Sequence, residues 1–342
     1  MSLPEFFVSC DWGTSSFRLR LIDLESGRAA AGLTADQGVR ALNDSLSSNA
    51  DRHARETAFA DFLGMRLDDL LKSHSKAAAS RVVLSGMASS TIGWRELPYS
   101  PSPLHLDGSN LVHERIPVTT PSGRDFELIL ISGAQCENDI MRGEETELIG
   151  LLNHPDYTTF ANDSLVLLPG THSKHVRLRH GRIESWRTFM TGELFEALTS
   201  ATILRQTTEA RADDAAESKQ DFREGAAEGF DPGMEQGLFH ARARSVLNGK
   251  SSSANREFLS GLLIGSELRH AVDHANGRPL LIGGSARLSD RYRNALEIVA
   301  EATADSPSLQ VAPVNLPEGA ASVLGHSFLL KQWSANGDNA PT

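Results

Sequence analysis

Apolar and polar residues alternate along two short stretches of the chain, and each stretch contains a glycine–threonine turn. The first stretch has the apolar run Phe6–Cys10, a turn that begins at Gly13, and alternating residues up to Leu21. The second has the apolar run Leu165–Leu168 and a turn that begins at Gly170, followed by the same alternation. Alternation with a period of two on both sides of a short turn is typical of a β-hairpin. The pattern predicts a similar hairpin in each half of the chain.

Both turns are rich in hydroxyl groups and in backbone N–H groups that can face a ligand. Short glycine turns let backbone amides converge on phosphate oxygens. The predicted phosphate-binding residues are Gly13, Thr14, Ser15 and Ser16 in the first turn and Gly170, Thr171, His172, Ser173 and Lys174 in the second. Lys174 adds a point charge, although a solvated surface lysine is the alternative. Two unrelated hairpins with ordinary turns remain the alternative for the pair, since glycine, serine and threonine are common turn residues.

Between and after the hairpins, apolar residues recur with helical spacing. This spacing predicts helices over about 52–71, 138–152, 192–204, 254–274, 287–304 and 319–330. Residues 207–224 are polar and predict a solvated helix or mobile loop, and the polar tail from Ser334 predicts disorder. The doubled order of hairpins, helices and strands predicts an α/β protein with two domains, 1–155 and 156–342, around a cleft.

Composition and net charge limit the kinds of partner and compartment that the sequence favours. The chain has 342 residues and a formal net charge of −11, which argues against a nucleic-acid partner. Its two cysteines, Cys10 and Cys136, exclude a disulfide framework and fit a reducing compartment. Neither a signal peptide nor a membrane-spanning run is evident in the pattern. We therefore expect a soluble cytoplasmic protein with no membrane partner, and a homo-oligomer is left open.

Acidic residues supply the candidate metal ligands and the candidate base. Asp11 ends the first apolar run beside a predicted phosphate turn, where a Mg²⁺ ion would explain a carboxylate; an Asx-turn residue is the alternative. Asp139 is the candidate general base, at the predicted start of the helix over 138–152, where it could instead be an N-cap. Glu144 and Glu145 are the rival acids, or could hold metal-bound water, and Glu144 is the second predicted metal ligand. Arg142 could bind a substrate carboxylate through its planar guanidinium.

The loop over 86–99 combines glycines, hydroxyls and aromatic residues. That composition suits a polyhydroxylated ligand, with Ser89 and Glu96 pairing with hydroxyls and Trp94 covering an apolar face. A packed surface loop is the alternative.

Two further segments add candidate binding residues. Thr191 and Glu193 lie at the predicted start of the helix over 192–204 and are assigned to the substrate. Gly283 and Gly284 follow the apolar run Leu280–Ile282 and precede a helix, where a glycine turn allows close approach of an adenine or ribose. By itself this last signal is weak.

Taken together, these segments resemble the sugar-kinase branch of the actin-like ATPase superfamily, and more narrowly the 2-dehydro-3-deoxygalactonokinase family over about residues 6–330. The segments that carry the resemblance are Asp11-Trp12-Gly13-Thr14, Gly93-Trp94-x-Glu96-x-Pro98-Tyr99, Met141-Arg142-Gly143-Glu144-Glu145-Thr146, Leu168-Pro169-Gly170-Thr171-His172-Ser173-Lys174, Thr188-Phe189-Met190-Thr191-Gly192-Glu193-Leu194 and Gly261-Leu262-Leu263-Ile264-Gly265-x-Glu267.

The resemblance implies a two-domain actin-like ATPase (ribonuclease H-like) fold with an interdomain cleft. It also implies transfer of the γ-phosphate of ATP, with Mg²⁺, to the 6-hydroxyl of 2-dehydro-3-deoxy-D-galactonate in galactonate breakdown. Asp139 lies where related kinases keep the catalytic acid. The chain departs from the family at His175, where an aromatic residue is common, and in the hydroxyl-rich stretch 86–91, which could alter sugar choice.

Two alternatives to this activity stay open at the level of sequence. One keeps the fold but changes the acceptor to a hexose or another keto-deoxy sugar acid. The other is an actin-like ATPase without a small acceptor, against which the polyol-suited loop over 86–99 argues.

Overall fold

The computed structural model describes residues 3–47, 51–72, 74, 79–209, 219–302 and 310–335. The chain divides into two compact units. One comprises Met1–Ala161, Gly181–Glu184 and Gly319–Thr342, and the other comprises Asn162–His180 and Ser185–Glu318. The first change of unit thus lies six residues beyond the predicted boundary at 155, and the last helix, which we had grouped with the second half, counts with the first unit. The predicted disorder from Ser334 is wrong at Ser334 and Ala335, which end the last helix, and otherwise lies outside the described residues, as does part of the polar stretch 207–224.

The first unit is a mixed α/β structure. Its regular elements are β1 (Phe6–Trp12), β2 (Phe17–Asp23), β3 (Ala29–Ala35), α1 (Val39–Ser45), α2 (Arg52–Leu71), β4 (Ala79–Gly86), β5 (Ser100–Pro101), β6 (Leu104–His105), β7 (His113–Thr119), β8 (Asp125–Ile131), β9 (Ala134–Cys136), β10 (Asp139–Met141) and α3 (Glu144–Leu152). The predicted hairpin is present as β1 and β2, and α2 has the bounds that the apolar spacing predicts.

The main sheet of this unit has the strand order β3-β2-β1-β4-β8-β7. Strand β2 is antiparallel to β1, whereas β1, β4 and β8 run parallel to one another. One face of the sheet packs on α2, whose apolar stripe includes Phe59, Phe62 and Leu67. The short strands β10, β9 and β5 form a separate three-stranded sheet.

The second unit contains the other predicted hairpin. Its elements are β11 (Asp163–Leu168), β12 (Ser173–Arg179), β13 (Arg182–Phe189), α4 (Thr191–Ala201), α5 (Arg205–Thr208), α6 (Lys219–Phe230), α7 (Met234–Asn248), α8 (Ser252–Ala275), β14 (Leu280–Ile282), α9 (Ala286–Ala302) and β15 (Val311–Pro313). Arg182 and Ile183, at the start of β13, count with the first unit and pair there with β6.

The strands of the second unit follow the order β13-β12-β11-β14-β15. Strand β12 is antiparallel to β11, and β11, β14 and β15 are parallel. The order is therefore 3-2-1-4-8 in the first unit and, numbered from β11, 3-2-1-4-5 in the second; in both sheets the second strand is antiparallel to the first, and the last two strands of the series are parallel to the first. This is the ribonuclease H-like arrangement, and it confirms the predicted fold class.

Helix α8 is the central helix of the second unit. Its apolar residues, among them Phe258, Leu262 and Leu268, are buried. Gly261 and Gly265 face α6 so closely that an added Cβ would lie 2.2 Å from Phe222 O and 2.1 Å from Ala226 O. Two glycines of the family motif in α8 are therefore needed for helix packing.

The final helix, α10 (Ala320–Ala335), packs on α3 within the first unit. Its His326 is fully buried and bridges two strands of the main sheet: Nδ1 lies 2.7 Å from Ser9 Oγ of β1, and Nε2 lies 2.9 Å from Ser85 Oγ of β4. Burial, followed by the charge of Arg20, lowers the pKa of His326 to about 3. The imidazole is therefore neutral at physiological pH.

No helix in the part of the chain that the structure describes is long and apolar enough to cross a membrane.

His326 makes the stability of the first unit depend on pH. Between the folded pKa of about 3 and the ordinary histidine value, the unfolded chain binds a proton that the folded chain excludes, so acidification favours unfolding. Replacement His326→Gln removes this group. We expect the free energy of unfolding of the wild type to fall relative to that of the variant by roughly 1–2 kcal/mol between about pH 7 and pH 5. Urea unfolding at several pH values measures the difference, and parallel pH profiles for the two proteins would contradict it.

Candidate active site

The first turn connects β1 to β2 and is held against α1. Gly13 N donates to Ser16 O over 2.9 Å, which closes the turn. The carbonyls of Gly13 and Thr14 accept hydrogen bonds from Val39 N (3.0 Å) and Arg40 N (3.2 Å) at the start of α1. Among the described residues, the N–H groups of Thr14 and of the exposed Ser15 donate to no carbonyl. The turn therefore presents donors, as binding of an anion requires.

Gly38, just before α1, makes this arrangement possible. An added Cβ at Gly38 would lie 2.3 Å from Thr14 O and 2.5 Å from Ser15 N. No larger residue fits without moving the turn. Gly38 is not among the residues predicted from the sequence, because a single glycine so far along the chain from the turn gives no local signal.

Asp11, at the end of β1, lies among other acids. Its Oδ2 accepts a hydrogen bond from Arg18 Nη1 over 3.0 Å. Burial, followed by the negative charges of Asp11 and Glu144, raises the pKa of Glu147 in α3 to about 7. Carboxylates that repel one another in this way would gain from a divalent cation, which fits the two predicted metal ligands. Within the described residues, however, no group of three or more His, Cys, Asp or Glu side chains is arranged to hold a metal ion.

The structure corrects the predicted helix over 138–152. Asp139 is not at a helix N-terminus: it begins β10, pairs with Cys136, and its Oδ1 accepts a hydrogen bond from Ile140 N over 2.7 Å. Helix α3 begins at Glu144, after Gly143 with a φ of 109°. Asp139 is therefore on a strand, four residues before Gly143, which precedes α3. Its role as the general base remains a prediction.

The acids at the start of α3 bind backbone amides. Glu144 Oε2 accepts from Arg142 N over 2.9 Å, and Glu145 Oε2 accepts from Gly143 N over 2.8 Å. Burial, followed by the charge of Glu144, raises the pKa of Glu145 to about 8. Glu145 is fully buried, so it supports the turn before α3 and is poorly placed to meet a ligand.

Two residues predicted to bind the substrate, Ser89 and Arg142, contact each other. Arg142 Nη1 donates to the carbonyl and to Oγ of Ser89, both over 2.6 Å, and its guanidinium lies 4.3 Å above the Tyr99 ring. Ser89 is fully buried. It therefore orients Arg142, while one edge of the planar guanidinium is left for a ligand.

A cavity of about 570 Å³ lies beside this group. Its lining includes Arg52, Arg55, Trp94, Arg95, Glu96 and Tyr99. Glu96 is exposed, as a ligand-binding group would be. Trp94 is only 3% exposed and also packs in the hydrophobic core with Phe59, so little of its ring can meet a ligand. Its role of covering an apolar face of the ligand stays a prediction.

The second turn connects β11 to β12. Gly170 N donates to Ser173 Oγ over 3.3 Å, and Thr171 O accepts from Glu193 N of α4 over 3.1 Å. Ser173 and Lys174 are only 1% and 4% exposed. Lys174 Nζ donates to His172 O over 3.3 Å. Both side chains therefore brace the turn from beneath, whereas Gly170, Thr171 and His172 lie at its surface.

Helix α4 begins directly against this turn. An added Cβ at Gly192 would lie 2.6 Å from Gly170 O and 2.7 Å from Thr171 Cα. His172 Nε2 lies 2.5 Å from Glu193 Oε2, which joins a predicted phosphate residue to a predicted substrate residue. Thr191 is buried, its hydroxyl donates to Glu267, and it also lines the cavity beside this turn, so its predicted role in substrate binding stays a prediction.

The predicted adenosine turn adjoins the second phosphate turn. Gly283 N donates to Leu167 O over 2.8 Å, and an added Cβ at Gly284 would lie 3.1 Å from Pro169 O. The structure thus brings Gly283 and Gly284 to the predicted turn at 170–174 within one unit.

A cavity of about 530 Å³ lies at the same place. Its lining includes Gly170, Gly192, Phe195, Ser253, Arg256, Glu257, Ser260, Arg287, Arg291 and Tyr292. Arg291 Nη2 lies 2.9 Å from Glu257 Oε2, and the Arg256 guanidinium lies 4.7 Å above the Phe195 ring. Three arginines beside a glycine turn suit a phosphorylated ligand.

Sequence analysis missed the arginines of this cavity. Ser253, Arg256, Glu257 and Ser260 recur at helical spacing on α8, which is a polar stripe on an otherwise apolar helix. That stripe is the signal that could have identified Arg256, whereas Arg287 and Arg291 lie on α9.

Known proteins resemble the chain over most of its length. The sequence model described as 2-keto-3-deoxy-galactonokinase matches residues 11–312. A Rhizobium meliloti (strain 1021) protein named "Probable 2-dehydro-3-deoxygalactonokinase" is 33% identical over 302 residues, which cover 87% of this chain and 90% of the relative. The 2-dehydro-3-deoxygalactonokinase of Escherichia coli (strain K12) is 28% identical over 309 residues, with 85% and 89% covered. A crystal structure described as a 2-dehydro-3-deoxygalactonokinase, from Sinorhizobium meliloti, has a TM-score of 0.73 at 29% identity, covering 97% of this chain and 99% of that one.

Two ribonuclease H-like sheets, each with a hydroxyl-rich turn after its first strand, define a sugar kinase of the actin-like ATPase class. Kinases of this class use ATP and act on small sugar substrates. The match over residues 11–312 makes the assignment narrower: the chain belongs to the 2-keto-3-deoxy-galactonokinase family.

The close approach of Gly192 to the second turn allows the role of that turn in ATP binding to be tested by mutation. Replacement Gly192→Ala adds a methyl group where Gly170 O would be 2.6 Å away, so the turn must shift. We expect the KM for ATP to rise about tenfold or more, the usual scale of overpacking. Steady-state kinetics measure it. The control is Gly32→Ala, whose Cβ would lie 3.7 Å from its nearest neighbour, Leu19 O. An unchanged KM for ATP in Gly192→Ala would contradict the role of the turn.

Proposed function

We propose that the protein phosphorylates 2-dehydro-3-deoxy-D-galactonate on its 6-hydroxyl with ATP. The 6-oxygen forms a bond to the γ-phosphorus, the bond from that phosphorus to the β–γ bridging oxygen breaks, and ADP leaves. A carboxylate accepts the hydroxyl proton. Within a family of kinases, the observation that carries the proposal is the phosphate turn at 170–174: its Gly170 lines the cavity of about 530 Å³, and the Gly283–Gly284 turn packs against the residues just before it.

In this proposal the second unit binds the nucleotide. The adenosine occupies the cavity of about 530 Å³, which is large enough for a drug-sized ligand. Backbone N–H groups of the 170–174 turn other than that of Gly170, which donates to Ser173 Oγ, donate to phosphate oxygens. Arg256 and Arg287 supply positive charge there.

The first unit holds the sugar acid and the candidate base. Arg142 binds the substrate carboxylate, in an orientation fixed by Ser89 and Tyr99. Glu96 accepts hydrogen bonds from sugar hydroxyls, and Asp139 accepts the proton of the 6-hydroxyl. Mg²⁺ would be held by Asp11 and Glu144 with the phosphates of ATP, and when bound it neutralises charge on the transferred group. A cytoplasmic location and a homo-oligomer stay predictions.

A coupled assay of ADP release tests the activity. The wild type is offered 2-dehydro-3-deoxygalactonate, its gluconate epimer, other sugar acids and hexoses. We expect ADP release to depend on the galactonate derivative and the 6-phosphate to form in equal amount. Faster release with another acceptor, or ATP hydrolysis that no acceptor stimulates, would overturn the proposal.

Asp139 is tested by Asp139→Asn. The amide has the same shape but cannot take a proton, so we expect kcat to fall by roughly 10²–10⁴ with little change in the affinity for ATP. Glu137→Gln, an exposed residue in the turn just before β10, is the matched control. If Asp139→Asn turns over at the wild-type rate, the base is another group, with Glu144 next in line.

Arg142 is tested by Arg142→Lys. Lysine keeps the charge but loses the bidentate geometry and the stacking on Tyr99. We expect the KM for the sugar acid to rise by about 10–100-fold while the KM for ATP stays constant. Equal effects on both KM values would assign Arg142 to the fold and not to the carboxylate.

A further inference from the structure

Glu267 is an acid inside the second unit for which the proposed reaction has no direct use. It lies on α8, two residues after Gly265, and is only 3% exposed. A buried carboxylate is costly unless hydrogen bonds satisfy it. Its partners therefore indicate what it is for.

Those partners come from three different elements. Glu267 Oε2 accepts hydrogen bonds from Tyr292 OH of α9 over 2.6 Å and from Thr191 Oγ1 at the start of α4. Glu267 Oε1 lies 2.9 Å from His175 Nε2 of β12. One carboxylate thus joins the strand after the phosphate turn to the two helices that border the nucleotide cavity.

A chain of hydrogen bonds leads from Glu267 to the turn. Burial, followed by the negative charge of Glu267, raises the pKa of Tyr292 well above its usual value, so the phenol keeps its proton and donates it to Glu267. The Tyr292 oxygen is then an acceptor for Ser173 Oγ, 2.8 Å away. Ser173 Oγ in turn accepts from Gly170 N over 3.3 Å. Each hydroxyl therefore donates in one defined direction, and this series of hydrogen bonds ends on the Glu267 carboxylate.

We propose that Glu267 is a positioning residue for phosphoryl transfer. Through Tyr292 and Ser173 it fixes the Gly170–Ser173 turn, and through Thr191 it fixes the start of α4. This inference rests on the proposed function, since it assumes that the turn binds the phosphates of ATP. It adds a residue that touches neither nucleotide nor sugar.

The chemistry of the site shows how glutamine would differ from glutamate at position 267. In Glu267→Gln, the amide oxygen can accept from Tyr292 and Thr191, but the amide N–H₂ then faces His175 Nε2. The histidine can accept that bond only by moving its proton to Nδ1, a buried atom with no partner among the described residues. Glutamine therefore keeps the chain to the turn and leaves one buried donor unsatisfied.

Kinetics of the full-length variants test the inference. We expect Tyr292→Phe, which removes one oxygen, to raise the KM for ATP or lower kcat by about tenfold, with the KM for the sugar acid unchanged. Glu267→Ala should lose about 100-fold in kcat/KM for ATP, and Glu267→Gln should recover most of that loss. The control is Ser289→Ala on α9, the helix that carries Tyr292, because the buried Ser289 hydroxyl has no partner within the described residues. It should behave as wild type.

Thermal unfolding and ATP binding separate the possible outcomes. If Tyr292→Phe lowers Tm but its folded fraction keeps the wild-type KM for ATP and kcat, Glu267 is only structural and the inference is overturned. Equal losses in Glu267→Gln and Glu267→Ala overturn it as well. If the wild type itself does not bind ATP in calorimetry, the proposed function fails. If the wild type binds ATP normally and the Glu267 and Tyr292 variants have wild-type kinetics, the inference is overturned but the proposed function is not.

Discussion

Close contact between backbone segments at glycine is the constraint on which both predicted phosphate turns depend. At Gly38 the chain before α1 lies against Thr14 and Ser15, and at Gly192 the start of α4 lies against Gly170 and Thr171. A Cβ at either position would be under 3 Å from backbone atoms. This contact lets a neighbouring N–H group satisfy a carbonyl of the turn, from Val39 in one unit and Glu193 in the other. Anion binding needs such turns, with carbonyls already bonded and donors turned outward.

Local patterns predicted the elements that have a strong period. The two hairpins follow from alternation, and α2 follows from an apolar stripe that continues for twenty residues. Asp139 was misplaced because a three-residue strand leaves no periodic signal, and because aspartate is equally favourable before a helix or in a turn. The real helix start depends on Gly143 and on Glu145, whose carboxylate binds the Gly143 amide.

Burial of polar residues was the harder part of the site to predict. Ser173 and Lys174 stand at positions that suit ligand contact, yet both are buried, and Tyr292 of the distant helix α9 contacts Ser173. Tyr292 lies 119 positions after the serine that it contacts, so no local rule could connect the two. Trp94 shows the same effect on an aromatic residue: its ring suits a sugar face, but α2 offers it a place in the core beside Phe59. Residue type restricts possible chemistry, whereas long-range packing decides which atoms a ligand can meet.

The two turns are stabilised by different means, and this difference affects how each tolerates change. The first turn is fixed by backbone hydrogen bonds to α1, so its conformation depends on Gly38 more than on its own side chains. The second also depends on side chains, from Ser173 through Tyr292 to the buried Glu267. Desolvation strengthens those hydrogen bonds and makes each broken one costly, since no water replaces the lost partner. A turn supported in this way is rigid before ligand arrives, which reduces the entropy cost of ordering it on binding. The second turn is therefore preorganised for its ligand, but single substitutions well below its surface can disrupt it.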